Sequence, residues 1–261
     1  MKLPKISIVI PSYNKVDFME DTLKSIFSQK YSNLEVIVQD GGSTDGTIEI
    51  IKKYTKKYPK MLSWESKKDK GQTDAINKGL ERASGEIFTY INADDIYDKD
   101  SLKKVGNYFM QKPGTLWLAG NGKVINNVNS YIAKIPTIYK NFLLKFSSYQ
   151  ILLTVNYLMQ PSVFLSRRVY HEYGPFTGFG KIVMEYDLWL KIGKEKMPII
   201  LNDNLSLFRI NKGTTSYSQG RKLLDEDYSI AKKYTNNIVI LLFHRLNNLL
   251  RLLVLNFLQI L

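Results

Sequence analysis

The chain has 261 residues, 44% hydrophobic and 12% aromatic, enough for one large α/β domain or two fused lobes with a sizeable core. It has no cysteine and only two histidines, His171 and His244, which excludes disulfides and thiolate metal sites and leaves oxygen-held Mg²⁺ or Mn²⁺ as the metal chemistry open to it. The formal charge of +13 suits an anionic ligand or an acidic membrane, although lysines solvating many helix faces give the same total; their dispersal, with no reading motif, argues against nucleic acid.

The first run, "ISIVIP" (6–11), is apolar and β-branched, as expected of a strand buried on both faces. Residues 17–29 set Phe18, Leu23, Ile26 and Phe27 at helical spacing, and "LEVIVQD" (34–40) reads as a second buried strand. "STDGTIEIIKKYTKKY" (43–58) reads as a helix entered through Ser, Thr and Asp, which are good N-cap residues. A weaker strand covers 61–66, a helix 72–83, and a fourth strand, "EIFTYIN", 86–92. This alternation predicts a parallel sheet with helices on both faces and right-handed connections.

Beyond residue 115 the pattern loosens. "TLWLAGNGKVI" and "VNSYIAKIP" suit strands of a mixed sheet, and 138–158 are rich in Leu, Phe and Tyr. Residues 179–194 read as a helix and "IILNDNLSLFRI" as a strand, and from 221 the chain is helical and finally very apolar. The N-terminus, "MKLPKISIVIPSYN", is a poor signal peptide, so the chain is expected in the cytoplasm.

Ligands of open α/β sheets bind beyond the carboxyl ends of the strands. Three such ends are chemically loaded: "PSYN" (11–14), "QDGGSTDG" (39–46) and "NADD" (92–95). Asp40, beside Gly41 and Gly42, can accept a hydrogen bond from a base N–H; a tight turn opening a helix explains the segment equally well. Asp45 suits a first-turn carboxylate. In "DKGQTDAINKG" (69–79), Gly71 and Lys70 can face phosphate at a helix start, or Gln72 and Thr73 can simply cap it; it is not a Walker A loop. Asn77, a poor helix former inside that helix, stands out. Asp94 and Asp95 are like charges side by side, which a divalent cation holding a diphosphate would relieve; an acidic, solvated turn is the plainer alternative. Asn92 offers a ribose hydroxyl a partner without a third charge.

"SIVIPSYN", "QDGGSTDGT", "DKGQTDAINKGLERASGEI" and "YINADD", in that order over residues 5–110, resemble the successive motifs of family-two glycosyltransferases of the bacterial surface-polysaccharide type. The resemblance implies a GT-A (Rossmann-like) α/β fold: a mostly parallel central sheet with helices on both faces, here with a C-terminal helical tail. It implies an inverting transferase that uses a nucleotide-diphosphate sugar, UDP- or GDP-linked, with Mn²⁺ or Mg²⁺. The D-x-D-type motif carries metal and ribose binding to Asp94, Asp95 and Asn92, with Asn92 standing where the family has its first aspartate. Pro11, Tyr13, Asn14 and Asp40 fall where the family holds the nucleobase. The base of the family's E-D-x-D-L-like segment falls on Glu185 of "MEYDLWLK", one methylene longer than aspartate, with Asp187 as the fallback, although a helix-orienting or capping role suits Asp187 better; two ordinary helix acids are the plain alternative. "FRINKGTTS" (208–216) resembles a loop that closes over the diphosphate, with Asn211 at its usual histidine and Arg209, Lys212 and Ser216 as weaker candidates.

The expected organisation is a transferase domain over 1–220, with a nucleotide-sugar half (1–115) and an acceptor half (116–220), and a tail over 221–261. In the tail, His244, Asn248, Arg251 and Gln259 gather into a narrow polar stripe on an otherwise apolar helix. That suits a helix lying in a membrane interface better than one spanning it, and a helix buried between two copies is the alternative. The expected acceptor is a glycan or polyprenyl-linked hydroxyl at the cytoplasmic face of the inner membrane. Two rivals remain at this stage: a catalytically silent nucleotide-sugar-binding subunit and a nucleotidyltransferase.

Overall fold

The computed structural model describes residues 2–177, 182–211 and 219–260, with 254–260 as backbone. Strands β1 (Ile6–Ser12), β2 (Leu34–Asp40), β3 (Leu62–Ser66) and β4 (Ile87–Tyr90) pair in parallel in the order β3-β2-β1-β4. Helices α1 (Val16–Phe27), α2 (Thr47–Lys57) and α3 (Gln72–Arg82) make the connections. Every residue of β1 is buried, as its β-branched run requires. The central register sets Ile8 beside Val36 on one side and Thr89 on the other. Helix α3 seats directly on β1 because residue 79 is glycine; a Cβ there would lie 2.4 Å from Val9 Cγ1.

Helix α2 starts later than the sequence suggests. Its N-cap is Gly46, left-handed at φ 103°, and Asp45 reaches past it to accept a hydrogen bond from the Thr47 N–H at 3.0 Å. The same carboxylate accepts from the Val16 N–H at 2.9 Å and so ties the starts of α1 and α2 together.

The second half extends the sheet with mixed polarity. Its elements are β5 (Ile96–Tyr97), α4 (Ser101–Gln111), β6 (Trp117–Ile125), β7 (Tyr131–Ile132), α5 (Lys134–Lys145), α6 (Tyr149–Thr154), β8 (Val163–Ser166) and α7 (Arg167–Tyr173). Then come α8 (Met184–Gly193), β9 (Ile199–Arg209), α9 (Gly220–Tyr234) and α10 (Ile238–Ile260). β8 runs antiparallel to both β4 and β6, β6 and β9 are parallel, and β5 closes the row antiparallel to β9. Of the expected strand in "VNSYIAKIP", two residues remain: Ala133 turns at φ 49° and α5 begins, with Pro136 in its first turn, where a missing N–H costs nothing. The helix expected over 179–194 runs from Met184, and residues 179–181 lie outside the described set.

Two apolar clusters flank the sheet, one under α1 and α2, the other under α3, α6, α8, α9 and α10. Trp117 and Trp189 stack at 5.7 Å in the second. Helix α10, opened by Asn237 accepting from the Val239 N–H at 3.0 Å, turns His244, Asn248 and Arg251 of its polar stripe inward; the Gln259 side chain lies outside the described set. His244 Nδ1 lies 2.8 Å from the Leu153 carbonyl, Asn248 Nδ2 donates to the Leu224 carbonyl at 3.0 Å, and Arg251 pairs with the fully buried Asp227. Among the described residues no helix is long and apolar enough to cross a membrane.

Candidate active site

The carboxyl ends of β1 and β4, the N-terminus of α3 and the first turn of α8 open onto one cleft of about 400 Å³. Of the residues singled out from the sequence, Pro11, Tyr13, Gly71, Gln72, Asn92, Asp94, Glu185 and Arg209 line it. Tyr13 leaves its ring 61% exposed at the end of β1, a free aromatic face beside the loop that follows β2. Gly41 permits that approach, since a Cβ there would meet Asp69 Oδ2 at 2.9 Å and Tyr13 Cδ2 at 3.4 Å.

Asp40 is wholly buried and supports the cleft from behind. One oxygen accepts from the Gly42 and Ser43 N–H groups at 3.0 and 2.8 Å and from Ser66 Oγ at 2.7 Å; the other accepts from Ser43 Oγ at 2.5 Å. Burial pushes its pKa up, and these hydrogen bonds outweigh burial and hold it below the usual carboxylate range. Asn14, at φ 49°, donates its N–H to Ser43 Oγ and accepts from the Thr44 N–H, joining the β1 and β2 loops. Both ends of the Asn77 amide are taken by the backbone of Phe176, at 2.8 and 2.9 Å, so this residue ties α3 to the segment before α8 and does not face the cleft.

The adjacent acids Asp94 and Asp95 part company. Asp95 is buried and turned into the protein, its carboxylate accepting from the Arg209 N–H at 2.7 Å and from Asn92 Nδ2 at 3.2 Å. Burial and the neighbouring Asp94 charge push its pKa well up. Of the two acids expected to hold a metal, Asp95 turns its oxygens to β9 and Asn92. Asp94 lines the cleft and pairs with Lys15 Nζ at 2.6 Å. Arg209 secures the turn by donating from Nε to the Asp94 carbonyl at 2.7 Å. Among the described residues no group of three or more acids or histidines could hold a metal. One carboxylate still fits Mg²⁺ or Mn²⁺, which take one or two protein carboxylates and complete their shell with substrate phosphates and water. Gln72 Nε2 donates to Asn92 Oδ1 at 2.6 Å across the cleft, which fixes the amide of Asn92 at the strand end.

Glu185 stands opposite, in the first turn of α8 and half-buried. Tyr90 Oη reaches it at 3.5 Å. Burial pushes its pKa up to about 7, with the charge of Asp227 adding to the shift and Lys140 and Tyr90 opposing it. Asp187 lies outside the cleft: Lys233 Nζ and Tyr234 Oη donate to Oδ1, both at 2.9 Å, and Thr177 Oγ1 donates to Oδ2 at 3.2 Å. It clamps α8 to α9. Lys212 and Ser216 lie outside the described residues, and Asn211 is buried at the end of β9.

Sequence reasoning missed Lys15 and Gln160. Gln160 donates to the Tyr90 carbonyl at 2.7 Å and leaves its buried Oε1 without a partner on the cleft wall, an acceptor suited to a sugar hydroxyl. Nothing local marks it; it sits on a short turn before β8 whose place in the sheet only the fold decides.

The mixed α/β sheet flanked by helices, with strand ends converging on one cleft, is a GT-A fold. The family model for glycosyl transferase family 2 matches residues 7–174, and the chain belongs to that family. It is 36% identical over 109 residues to a putative teichuronic acid biosynthesis glycosyltransferase, TuaG, of Bacillus subtilis, covering 42% of this chain and 43% of that protein. It is 31% identical over 137 residues to a poly-β-1,6-N-acetyl-D-glucosamine synthase of Staphylococcus aureus, covering 52% of this chain and 33% of the synthase. The chain therefore spans less than half the length of these relatives. Among solved structures, the mannosyltransferase PcManGT from Pyrobaculum calidifontis, in complex with GDP-Man and Mn²⁺, superposes with a TM-score of 0.74 at 20% identity, covering 97% of this chain and 73% of that one. S. aureus TarS 1-349 with UDP-GlcNAc gives 0.67 at 20% identity, covering 88% and 66%.

Proposed function

We propose that this transferase inverts the configuration of the sugar it moves, from a nucleotide-diphosphate donor to a hydroxyl of a glycan or lipid-linked acceptor in bacterial polysaccharide synthesis. The observation that carries the reading is the sharing of one cleft by Asp94 and Glu185, the second with a pKa near 7. A general base works best when its pKa lies near the working pH. In its ionised form Glu185 takes the proton of the acceptor hydroxyl while that oxygen bonds to the anomeric carbon. The bond from that carbon to the diphosphate breaks on the opposite face, and its electron pair leaves with the diphosphate.

Tyr13 and the loop behind it, shaped by Asp40 and Asn14, would stack the nucleobase, Asn92 would meet the ribose, and Gln160 a sugar hydroxyl. Asp94 would hold Mn²⁺ or Mg²⁺, which when bound stabilises negative charge on the departing diphosphate. Residues 1–115 would then serve the donor and 116–220 the acceptor. Peripheral contact of the C-terminal helix with the cytoplasmic face of a membrane would raise the local concentration of a lipid-linked acceptor.

A thermal-shift screen of UDP- and GDP-sugars, with and without Mn²⁺, followed by assay of nucleoside diphosphate release with acceptor, tests the proposal. The expected result is a donor-specific shift that grows with Mn²⁺, and acceptor-dependent release. Binding without any release would favour the silent subunit; pyrophosphate release from a nucleoside triphosphate would favour the nucleotidyltransferase.

A further inference from the structure

Helix α5 carries an apolar stripe on its outer side. Its inner side packs on β6, with Thr137 and Leu144 buried. Its outer side presents Ile135, Ile138, Tyr139 and Phe142, at the i, i+3, i+4, i+7 spacing of one helical face, and Phe146 follows just past the end. Ile135 is 82% exposed and Phe142 54%, and the Phe142 and Phe146 rings lie 5.0 Å apart in the open. Helix α10 repeats the arrangement: Leu242, Phe243, Leu246, Leu249, Leu250 and Leu253 are exposed, while His244, Asn247, Asn248 and Arg251 face the protein. A surface helix in water buries its apolar stripe and exposes its polar one. Here α10 turns polar side chains inward, and both helices leave an apolar stripe exposed.

The two stripes belong to neighbouring elements. Helix α6 follows α5 after three residues, and α10 docks on α6 through His244 and the Leu153 carbonyl. Helix α5 packs on β6 and β9, and α6 packs on α8, the helix that carries Glu185. Charge selects the occupant. Residues 131–146 expose Lys134 and Lys145 and contain no acid; residues 236–261 expose Arg245 and contain no acid, Arg251 being turned inward to Asp227. A second copy would set cation against cation, whereas an acidic lipid surface matches both the apolar stripes and the charge.

We infer that α5 and α10 form one two-helix surface that docks on an anionic bilayer, with α5 as an arm independent of the C-terminal helix. Its purpose, presenting a lipid-linked acceptor to Glu185, rests on the function proposed above; the surface itself does not.

The test uses the full chain and extruded vesicles of phosphatidylcholine, with and without phosphatidylglycerol, in the absence of donor and acceptor. Co-sedimentation should be strong on the anionic vesicles, weak on the neutral ones and reduced by salt. Phe142→Ser with Phe146→Ser removes two exposed rings, so circular dichroism and melting should stay as in the parent, while vesicle partition falls by about tenfold with α10 intact. Lys134→Glu with Lys145→Glu should weaken binding to the anionic vesicles alone. Partition unchanged in the Phe pair would overturn the α5 arm, as would a dimer in light scattering that the same pair dissociates. Transfer to a short soluble acceptor, measured separately, distinguishes the two ideas: its absence with vesicle binding intact counts against the transferase mechanism and leaves the surface standing.

Discussion

At the strand-end side of the cleft each acid meets a matching donor: Asp94 has the Lys15 ammonium at 2.6 Å, Asp95 the Arg209 N–H at 2.7 Å, and Asp40 a set of hydroxyl and backbone N–H groups. At the α8 side, Glu185 has a long contact from Tyr90 at 3.5 Å and a buried Asp227 adding to the burial that pushes its pKa to about 7. Carboxylates with donors already in place are held in one position, which suits groups that must hold a ligand. An undersupplied one trades its charge easily with solvent or substrate, which suits a group that must take a proton.

The largest effect should come from breaking the undersupplied side. Glu185→Gln keeps the shape and removes the base, so transfer should fall by about 10²–10⁴, the usual general-base contribution, with donor affinity near that of the parent. Because burying an ionised carboxylate is costly, the variant should melt no lower than the parent. In the parent the base must be ionised, so kcat/KM should rise with pH through about 7 and flatten above it; roughly tenfold should separate about pH 6 from about pH 8. A flat profile, or a fast Gln variant, would remove Glu185 from the role.

Asp94→Ala breaks the matched side where it meets the ligand. Nucleoside diphosphate binding in the presence of Mn²⁺, followed by calorimetry, should weaken by about tenfold or more, since one carboxylate is the main protein charge available to the cation. Unchanged affinity would sink the metal assignment.

Much of this contrast was readable beforehand, and the reason is local. β1, β2 and β4 are buried on both faces, so their runs are unmistakably apolar, and each is followed at once by the polar residues of its strand end. Position in the chain and position in the cleft therefore coincide for Pro11, Tyr13 and Asn92. They diverge for Asp95, which neighbours Asp94 in sequence but points to β9, a strand met more than a hundred residues later. Asn77, which stands out on its helix, and Asp187 both bind other elements, Phe176 in one case and Lys233 with Tyr234 in the other, contacts that no periodicity encodes. The outward stripe of α5 was hidden for a different reason: 138–158 simply read as apolar, and only β6 behind the helix decides which side is inside.

Asp187→Ala tests whether the neighbour of Glu185 is structural. It would leave Thr177 Oγ1 short of a partner and remove the Lys233 and Tyr234 contacts to the carboxylate, with Tyr234 Oη keeping only the Asp187 carbonyl at 3.2 Å, a loss of about 1–3 kcal/mol, seen as a melting point lower by several degrees. Transfer per folded molecule should change by less than about threefold, far less than in Glu185→Gln. If Asp187→Asn, which keeps the size, abolishes transfer while melting as the parent does, the base lies two residues further along α8.

Lys15→Met should give the smallest effect, and in the opposite direction. The Lys15 ammonium sits on Asp94 Oδ2, so a divalent cation reaching that carboxylate must displace it. The pair is partly exposed, with side-chain exposures of 25% and 6%, so breaking it costs on the order of 1 kcal/mol and not the several of a fully buried pair. Methionine keeps most of the stem's volume and removes the competitor. Titration of the variant with Mn²⁺ alone should therefore show binding about fivefold tighter, the equivalent of that 1 kcal/mol. Once a donor is present the advantage should shrink or reverse, because the displaced ammonium is then free to meet the diphosphate and the variant has none to offer. Weaker Mn²⁺ binding in the absence of nucleotide would mean that Lys15 orients Asp94 for the metal instead of competing with it, and the matched side of the cleft would then be preorganised for the cation and not merely neutralised without it.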